Sequence, residues 1–422
     1  MGPPEGGAHW SIARKLALLV LALAVVAVPV ALVARHLLRP RAHTVVGSTA
    51  TEFVPTTTAP VRRGTPRVAG VEWPTYGFDG ARLRNVAVDL APPFRQRWVF
   101  HGRALLEFPP AVAHGLVYLP TFDGRFYALR AATGRVRWMH RSGRCGWASP
   151  AVTNRFVYVT FIGSRECRSQ RTGGEIDAYD AISGRLRWRR EIGPTESSPL
   201  VVDGEVVVGD WNGDVWALAA RTGRTLWRAS TGSAVKGSVS FGDGRLFIGN
   251  YGGKVLALAP RSGHILWVNG GHGAFYSSPA VAYGRVFIGS LDDGVYAFGA
   301  ATGHLLWSRP TGSYVYASPA IANGLVLVGS YDHRFYALDA GTGEVRWRFN
   351  AGDPISGAAS VIGEFVYFST FGERTFALSV RTGRRVRAWE DGKYSPAVTD
   401  GTHLFLVGEG RLYALTAVAA RR

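Results

Sequence analysis

Cysteine occurs twice and lysine four times in 422 residues, and each scarcity closes off a class of readings. No cysteine stands near the N-terminus, which excludes a lipid-modified cysteine as the means of holding the chain at a membrane. With so little lysine, the formal net charge of +18 is carried almost wholly by arginine, beside abundant alanine, glycine and valine. Such a bias reads as a coding preference and a solvated basic rim, with an anionic-lipid or acidic-polymer contact as the alternative. No basic helix or zinc module is visible, so nucleic acid is not expected as a partner. The eleven histidines are scattered without metal-ligand spacing, and no metal site is expected. No glycine-rich piece sits between a strand and a helix, as a phosphate loop requires.

Long apolar runs are missing apart from one, Leu16 to Ala34, which carries no charge and is flanked by Arg14-Lys15 and by Arg35, Arg39 and Arg41. At helical rise this run nearly spans a bilayer core of about 30 Å, and Pro29 is tolerable in a membrane helix. Extended to Leu38, it is expected to form a single-pass anchor over residues 16–38 behind a short cytoplasmic tail, 1–15. A cleaved signal peptide is the rival, but no clean small-residue cleavage site follows the run. Basic residues on both flanks leave the orientation to other signals. Residues 39–71, rich in Thr, Pro and Arg, read as a flexible linker.

What the chain does have is a repeat. From Phe108 to Leu415 a unit of about forty residues recurs eight times, most clearly as SSPAVAYGRVFIGSLDDGVYAFGAATGHLLW (277–307) and ASPAIANGLVLVGSYDHRFYALDAGTGEVRW (317–347). A unit this short cannot bury a core alone. Its turns are paired with glycine: Asp203-Gly204 and Asn323-Gly324 first, Asp123-Gly124 and Asp293-Gly294 second, Thr302-Gly303 and Thr342-Gly343 third. Such pairs accommodate the positive φ of tight antiparallel hairpins. Each unit is therefore a four-stranded meander, and radial repetition of meanders predicts an all-β, eight-bladed propeller over residues 72–422.

Trp138, Trp188, Trp227, Trp267, Trp307 and Trp347 each lie four residues beyond a turn glycine; the seventh copy has Arg387 there and Trp389 two residues on. The eighth copy ends before its Trp strand. The missing strand has a candidate at the other end of the propeller, Arg97-Trp98-Val99-Phe100, whose pairing with the last blade would close the ring and remove two open edges. The ring is expected to be monomeric. Cys145, in the loop leading into the second blade, and Cys167, in that blade's longer hairpin (161–174), should emerge on one face. A disulfide between them is expected and would favour the extracytoplasmic side of a cell membrane; two separate thiols are the alternative.

As spelled here, Ser-Pro-Ala-Val followed by Tyr-Ala-Leu-Asp-Ala-x-Thr-Gly-x-x-x-Trp, the repeat resembles those of the pyrroloquinoline-quinone (PQQ) type propellers. That group includes the quinoprotein alcohol dehydrogenases and the outer-membrane assembly lipoprotein BamB. The leading segment Trp73-Pro74-Thr75-Tyr76-Gly77-Phe78-Asp79 is similar to the opening of the same superfamily. The resemblance implies that the repeat Trp residues dock between blades and that the alanine shared by all third strands (128, 178, 217, 257, 297, 337, 377, 414) is a packing requirement.

Function must then lie where the copies differ on the interblade-loop face. Two residues before the inner-strand Ser, the copies read Glu107, Trp147, Glu196, Lys236, Tyr276, Tyr316, Ser356 and Lys393, expected to ring the channel mouth. A second ring holds Phe122, Phe161, Trp211, Tyr251, Leu291, Tyr331, Phe371 and Glu409. Acids, lysines and aromatics converging on one axis make a polar pocket, whereas interblade packing would equally use the aromatics of the second ring. The dehydrogenases bind PQQ over the channel with calcium and a disulfide of adjacent cysteines, and Glu107 matches a cofactor-contacting acid. Here Cys145 and Cys167 are not adjacent, Asp210-Trp211-Asn212-Gly213-Asp214 replaces a Gly-Ala-Glu that carries a calcium ligand, and the active-site insertions are missing. No catalytic residue and no cofactor is therefore expected. The leading expectation is a membrane-tethered, extracytoplasmic module binding a protein or cell-envelope polymer through its loop face. The alternative is a PQQ- and calcium-dependent dehydrogenase oxidising an alcohol or sugar.

Overall fold

The computed structural model describes residues 71–163, 172–394 and 397–418. The expected tail, anchor and most of the linker lie outside the described residues, as does Cys167. Among the described residues no helix is long and apolar enough to cross a membrane.

The repeat folds into eight four-stranded antiparallel blades, with a short parallel strand, Asn85–Val86, added to the seventh. Blades one to seven occupy 111–141, 151–192, 200–230, 240–270, 280–310, 320–350 and 360–389. The eighth is made from both ends of the propeller: Ala397–Thr399, His403–Val407 and Arg411–Ala417 are completed by Phe94–His101. Trp98 lies opposite Ala414, as Trp267 lies opposite Ala257 and Trp307 opposite Ala297. The expected closure is therefore formed, and Trp98 is the repeat Trp of the eighth blade.

The Trp residues show why the copies hold together. Each indole Nε1–H crosses to the next blade and donates to a backbone carbonyl at 2.9–3.2 Å, from Trp98 to Ala131 round to Trp347 to Val380. The rings lie flat on the third-turn glycines. A Cβ at Gly134, Gly184, Gly223, Gly263, Gly303, Gly343 or Gly383 would stand 2.4–2.7 Å from an indole carbon. The alanines facing the indoles in the third strands are fully buried, so a larger side chain would overpack the interblade core. Only the joint between blades seven and eight departs. There no turn joins Arg411–Ala417 to Phe94–His101, Arg387 replaces the docking Trp opposite Ala377, and Trp389 packs on Phe94 with ring centroids 6.4 Å apart. Loss of the receiving turn explains loss of the Trp that would dock on it.

The leading segment does more than introduce the first blade. Trp73 pairs with Val112 of blade one, Pro74 accepts from the Val152 amide of blade two, and Thr75 Oγ1 donates to Pro199 O beside blade three. Gly80, Ala81, Leu83 and Arg84 then accept from Phe241, Val281, Ile321 and Val361, inner-strand amides of blades four to seven, at 2.7–2.9 Å. The segment thus visits the inner strands in order, inside the channel, before entering blade eight. It carries two buried arginines in the left-handed region, Arg82 at φ 60° and Arg84 at φ 54°. Arg82 donates to Val239 O (3.1 Å), Ser198 O (3.1 Å) and Tyr76 O. Two of these carbonyls lie at the inner ends of blades and one in the leading segment itself, and together they compensate its desolvation and hold the left-handed turn.

Candidate functional site

At the loop face the inner strands begin with a ladder of serine hydroxyls. The amides of Ser149, Ser198, Ser238 and Ser278 donate to the Oγ of Ser198, Ser238, Ser278 and Ser318 at 2.8–3.0 Å, each bond crossing one blade boundary. This is the backbone-bonding role expected of a serine repeated at each blade start. The seventh copy has Ala358 at that place, and Tyr76 from the leading segment enters there, its hydroxyl donating to Ser318 Oγ at 3.2 Å.

Above this ladder lies a cavity of about 70 Å³. Of the candidates of the first ring, Glu107, Glu196, Lys236, Tyr276, Tyr316 and Ser356 line it. Trp147 and Lys393 do not: Trp147 packs on Phe122 at 5.6 Å and Lys393 pairs with Glu409 at 3.2 Å. Three lining aromatics stand outside both rings. Tyr394 and Phe108 each adjoin a ring position, whereas Tyr76 comes from the leading segment. The ring spacing pointed close to Tyr394, but nothing in the repeat could place Tyr76 on the axis.

The second ring backs the first. Trp211 and Tyr251 face Lys236, whose Nζ lies 4.0 and 5.0 Å from their ring centroids, 5.7 Å from that of Tyr276 and 3.4 Å from Glu196 Oε1. From Tyr251 the rings run Tyr276 (6.2 Å), Tyr316 (5.1 Å), Tyr331 (4.9 Å), Phe371 (5.4 Å) and Tyr394 (5.6 Å), each distance measured from the ring before. Tyr314 joins this arc from the loop and is 48% exposed. Phe161 is the exception: it is fully buried in the core between blades one and two. Packing and platform thus divide the ring between them.

The two acids of the cavity have different surroundings. Burial raises the Glu196 carboxyl, against which Lys236 and the Tyr276 hydroxyl, donating at 2.8 Å, act to lower it. Burial and the like charge of Glu196 push Glu107 up to about 7. Tyr276, buried and beside Glu196, is held well above the usual phenol range. Tyr76 is lowered despite its burial, because Arg84, 4.5 Å from its ring centroid, and Arg82 favour the phenolate. On the same face Cys145, in the loop leading into blade two, is buried and disulfide-bonded, and its backbone pairs with Ile162.

The family described as outer membrane protein assembly factor BamB matches residues 148–270 and 211–419. BamB of Burkholderia pseudomallei is 29% identical over 157 residues, which make up 34% of this chain and 40% of that protein. The chain therefore matches well under half the length of that relative. Among solved structures, BamB from Moraxella catarrhalis superposes with a TM-score of 0.64 at 16% identity, covering 77% of this chain and all of that one. The quinohemoprotein alcohol dehydrogenase from Comamonas testosteroni superposes with a TM-score of 0.70 at 13% identity, covering 83% and 82%. At such identities the two structures share the fold, which hosts unrelated functions.

Proposed function

The chain belongs to the family described as outer membrane protein assembly factor BamB, and from that premise we propose that it is a membrane-tethered, extracytoplasmic module whose loop face docks a protein partner. The observation that carries the reading is the arc of half-buried rings from Tyr251 to Tyr394, open to solvent at Tyr314. Rigid aromatics packed on one another offer large contact area at little conformational cost, and interface cores are enriched in them. The anchor over residues 16–38 and the linker that follows would hold this face near a membrane. The disulfide-bonded state of Cys145 supports an oxidising compartment.

The residues present do not fit the calcium-bound quinone of the dehydrogenases. Asp210, in the segment that replaces the Gly-Ala-Glu, accepts from the amides of Asn212 and Asp214 and from the Trp216 indole. Glu196 is already paired with Lys236. No group of three His, Cys, Asp or Glu side chains suited to a metal occurs among the described residues. These features support a binding role over a redox one.

The test places a photo-crosslinking residue at Tyr314 on the loop face, or at His304 in an exposed third turn, in the full chain within its own membranes. The reading expects a discrete crosslinked protein from Tyr314, lost on replacing Tyr331 and Phe371 with alanine, and none from His304. Equal labelling from both positions would overturn it. So would quinone-dependent alcohol oxidation by the full chain supplied with PQQ and calcium.

A further inference from the structure

Every blade ends in an outer strand whose far edge pairs with nothing in the ring, and such an edge is a template for another strand unless charge or proline guards it. Seven of the eight described outer strands are guarded. Each carries at least one arginine, including, on the two blades beside the fourth, Arg228 in Thr225–Ser230 and Arg309, followed by Pro310, in Leu305–Pro310. The outer strand of blade four, Ile265–Gly270, holds neither a charged residue nor a proline. Trp267 is engaged with the next blade, and Asn269, the one polar side chain, is tied within the molecule: Nδ2 donates to Gly303 O and Oδ1 accepts from Gly270 N, both at 2.7 Å. What the edge offers is Ile265, Leu266 and Val268, 37%, 46% and 47% exposed.

The backbone of this edge has a defined register. Lys254 lies opposite Gly270, and Gly271 N donates to Gly253 O, which makes Lys254 and Gly270 a wide, unbonded pair. Bonded and unbonded pairs alternate along an antiparallel ladder. Asn269 therefore bonds inward to Val255, and Val268, opposite Leu256, turns its N–H and C=O away from the blade. A strand laid antiparallel along the edge would complete those bonds. We propose that its occupant is the same strand of a second copy of this chain, the two related by a twofold axis at Val268, whose N–H and C=O exchange bonds with those of Val268 in the second copy.

Charge favours a second copy over a foreign strand. Twofold pairing sets a strand against itself, so any arginine in it faces arginine across a short pair, and like charges there destabilise. With a net charge of +18 two copies repel one another as whole bodies, and Ile265–Gly270 is the outer strand along which they can meet without opposing like charges. A foreign charged strand would find no opposite charge on it. The fourth strand is also the last in its sheet on the side away from the channel, so two rings can meet there rim to rim. Because the pairing is isologous and the other seven edges are guarded, association closes at two copies. This contact lies on the rim, apart from the loop face, and gives a twofold dimer in place of the expected monomer.

A single strand pair is a small interface of the transient class, so the dimer is read by sedimentation of the full chain in detergent over a wide range of concentration. A reversible equilibrium between one and two copies is expected, weakened at least tenfold by Val268→Arg and retained by Val268→Thr. Val345→Arg, on the exposed outer strand of blade six, should leave it unchanged. Oxidative crosslinking fixes the register. Across a bonded antiparallel pair the Cα atoms stand about 5.5 Å apart, within reach of a disulfide, so Val268→Cys should give a covalent dimer, a gain of signal that a misfolded variant would not produce. Leu266→Cys, displaced from its own image by about 13 Å along the strands, should not. A single copy at every concentration, a dimer indifferent to Val268→Arg, or covalent dimers from Leu266→Cys as readily as from Val268→Cys would overturn the proposal. The dimer uses no loop-face residue, so failure of either reading leaves the other standing.

Discussion

Substituting alanine for Gly303 and, separately, for Gly324 separates two roles that glycine plays in this ring. The two residues have nearly the same backbone, φ 73° and 74°, so the left-handed penalty of a Cβ, about 1–2 kcal/mol, is common to both. They differ in what the new methyl meets. At Gly324 nothing lies within 4 Å, whereas at Gly303 the methyl stands 2.6 Å from Trp267 Cδ2 and Cε3. The indole must then leave its slot on blade five. That adds roughly 1–3 kcal/mol of overpacking and about 1 kcal/mol for the Nε1 hydrogen bond to Ala300 O, now 3.0 Å long. Gly303→Ala should therefore cost about 2–4 kcal/mol more than Gly324→Ala, read as the difference in urea midpoints at constant slope. In a Trp267→Ala background the excess should vanish. Equal losses for the two single variants, or additivity in the double variant, would refute the docking of indole on glycine as what joins the blades.

Three further outcomes follow from buried groups. Glu107 has a carboxyl raised from about 4.5 to about 7 by burial and Glu196, so its neutral form contributes stability that is fully present below pH ~4.5 and is lost as pH rises through ~7. Glu107→Gln should gain on the wild type by up to about 3 kcal/mol between pH 5 and 8, and parallel pH–stability profiles would contradict this. Arg82→Met removes donors from Val239 O, Ser198 O and Tyr76 O. At about 1–3 kcal/mol for each buried acceptor left unsatisfied, it should lower stability by 3 kcal/mol or more and speed proteolysis within residues 71–93, visible by mass spectrometry. Finally, Cys145 should resist alkylation in the unreduced protein and be labelled only after reductant; labelling without reductant would remove the compartment argument.

The fold was legible because its determinants are repeated. Thr-Gly turns, buried alanines and docking indoles recur at one spacing, so each copy checks the others, and even Trp98, more than three hundred residues from Ala414, could be assigned to the blade that lacked it. The site was legible only in part, for the opposite reason. Glu107, Glu196, Lys236, Tyr276 and Tyr316 fell at one repeat position and converge. Trp147 and Lys393 share that position, yet Trp147 packs on Phe122 and Lys393 on Glu409, because a long side chain turns toward whichever neighbour its loop offers. Tyr76 was out of reach of any repeat argument. It lies outside the repeat, and its placement follows from hydrogen bonds that carry the leading segment past seven inner strands.

That segment is also what makes a site possible. Eight equivalent copies would send eight equivalent side chains toward one axis, and identical charges there would repel while identical apolar groups would close the channel. Here the copies supply acids at Glu107 and Glu196, a lysine at Lys236 and tyrosines at Tyr276 and Tyr316, in an order that pairs one acid with the lysine inside an aromatic cage. The leading segment then crosses below them, fills the channel with Arg82 and Arg84, and sets Tyr76 where the serine ladder meets Ala358. It converts an axial channel into a cavity with a floor. A ligand group reaching the mouth from the loop face therefore meets a shallow, asymmetric recess with a defined orientation, which a symmetric channel could not provide.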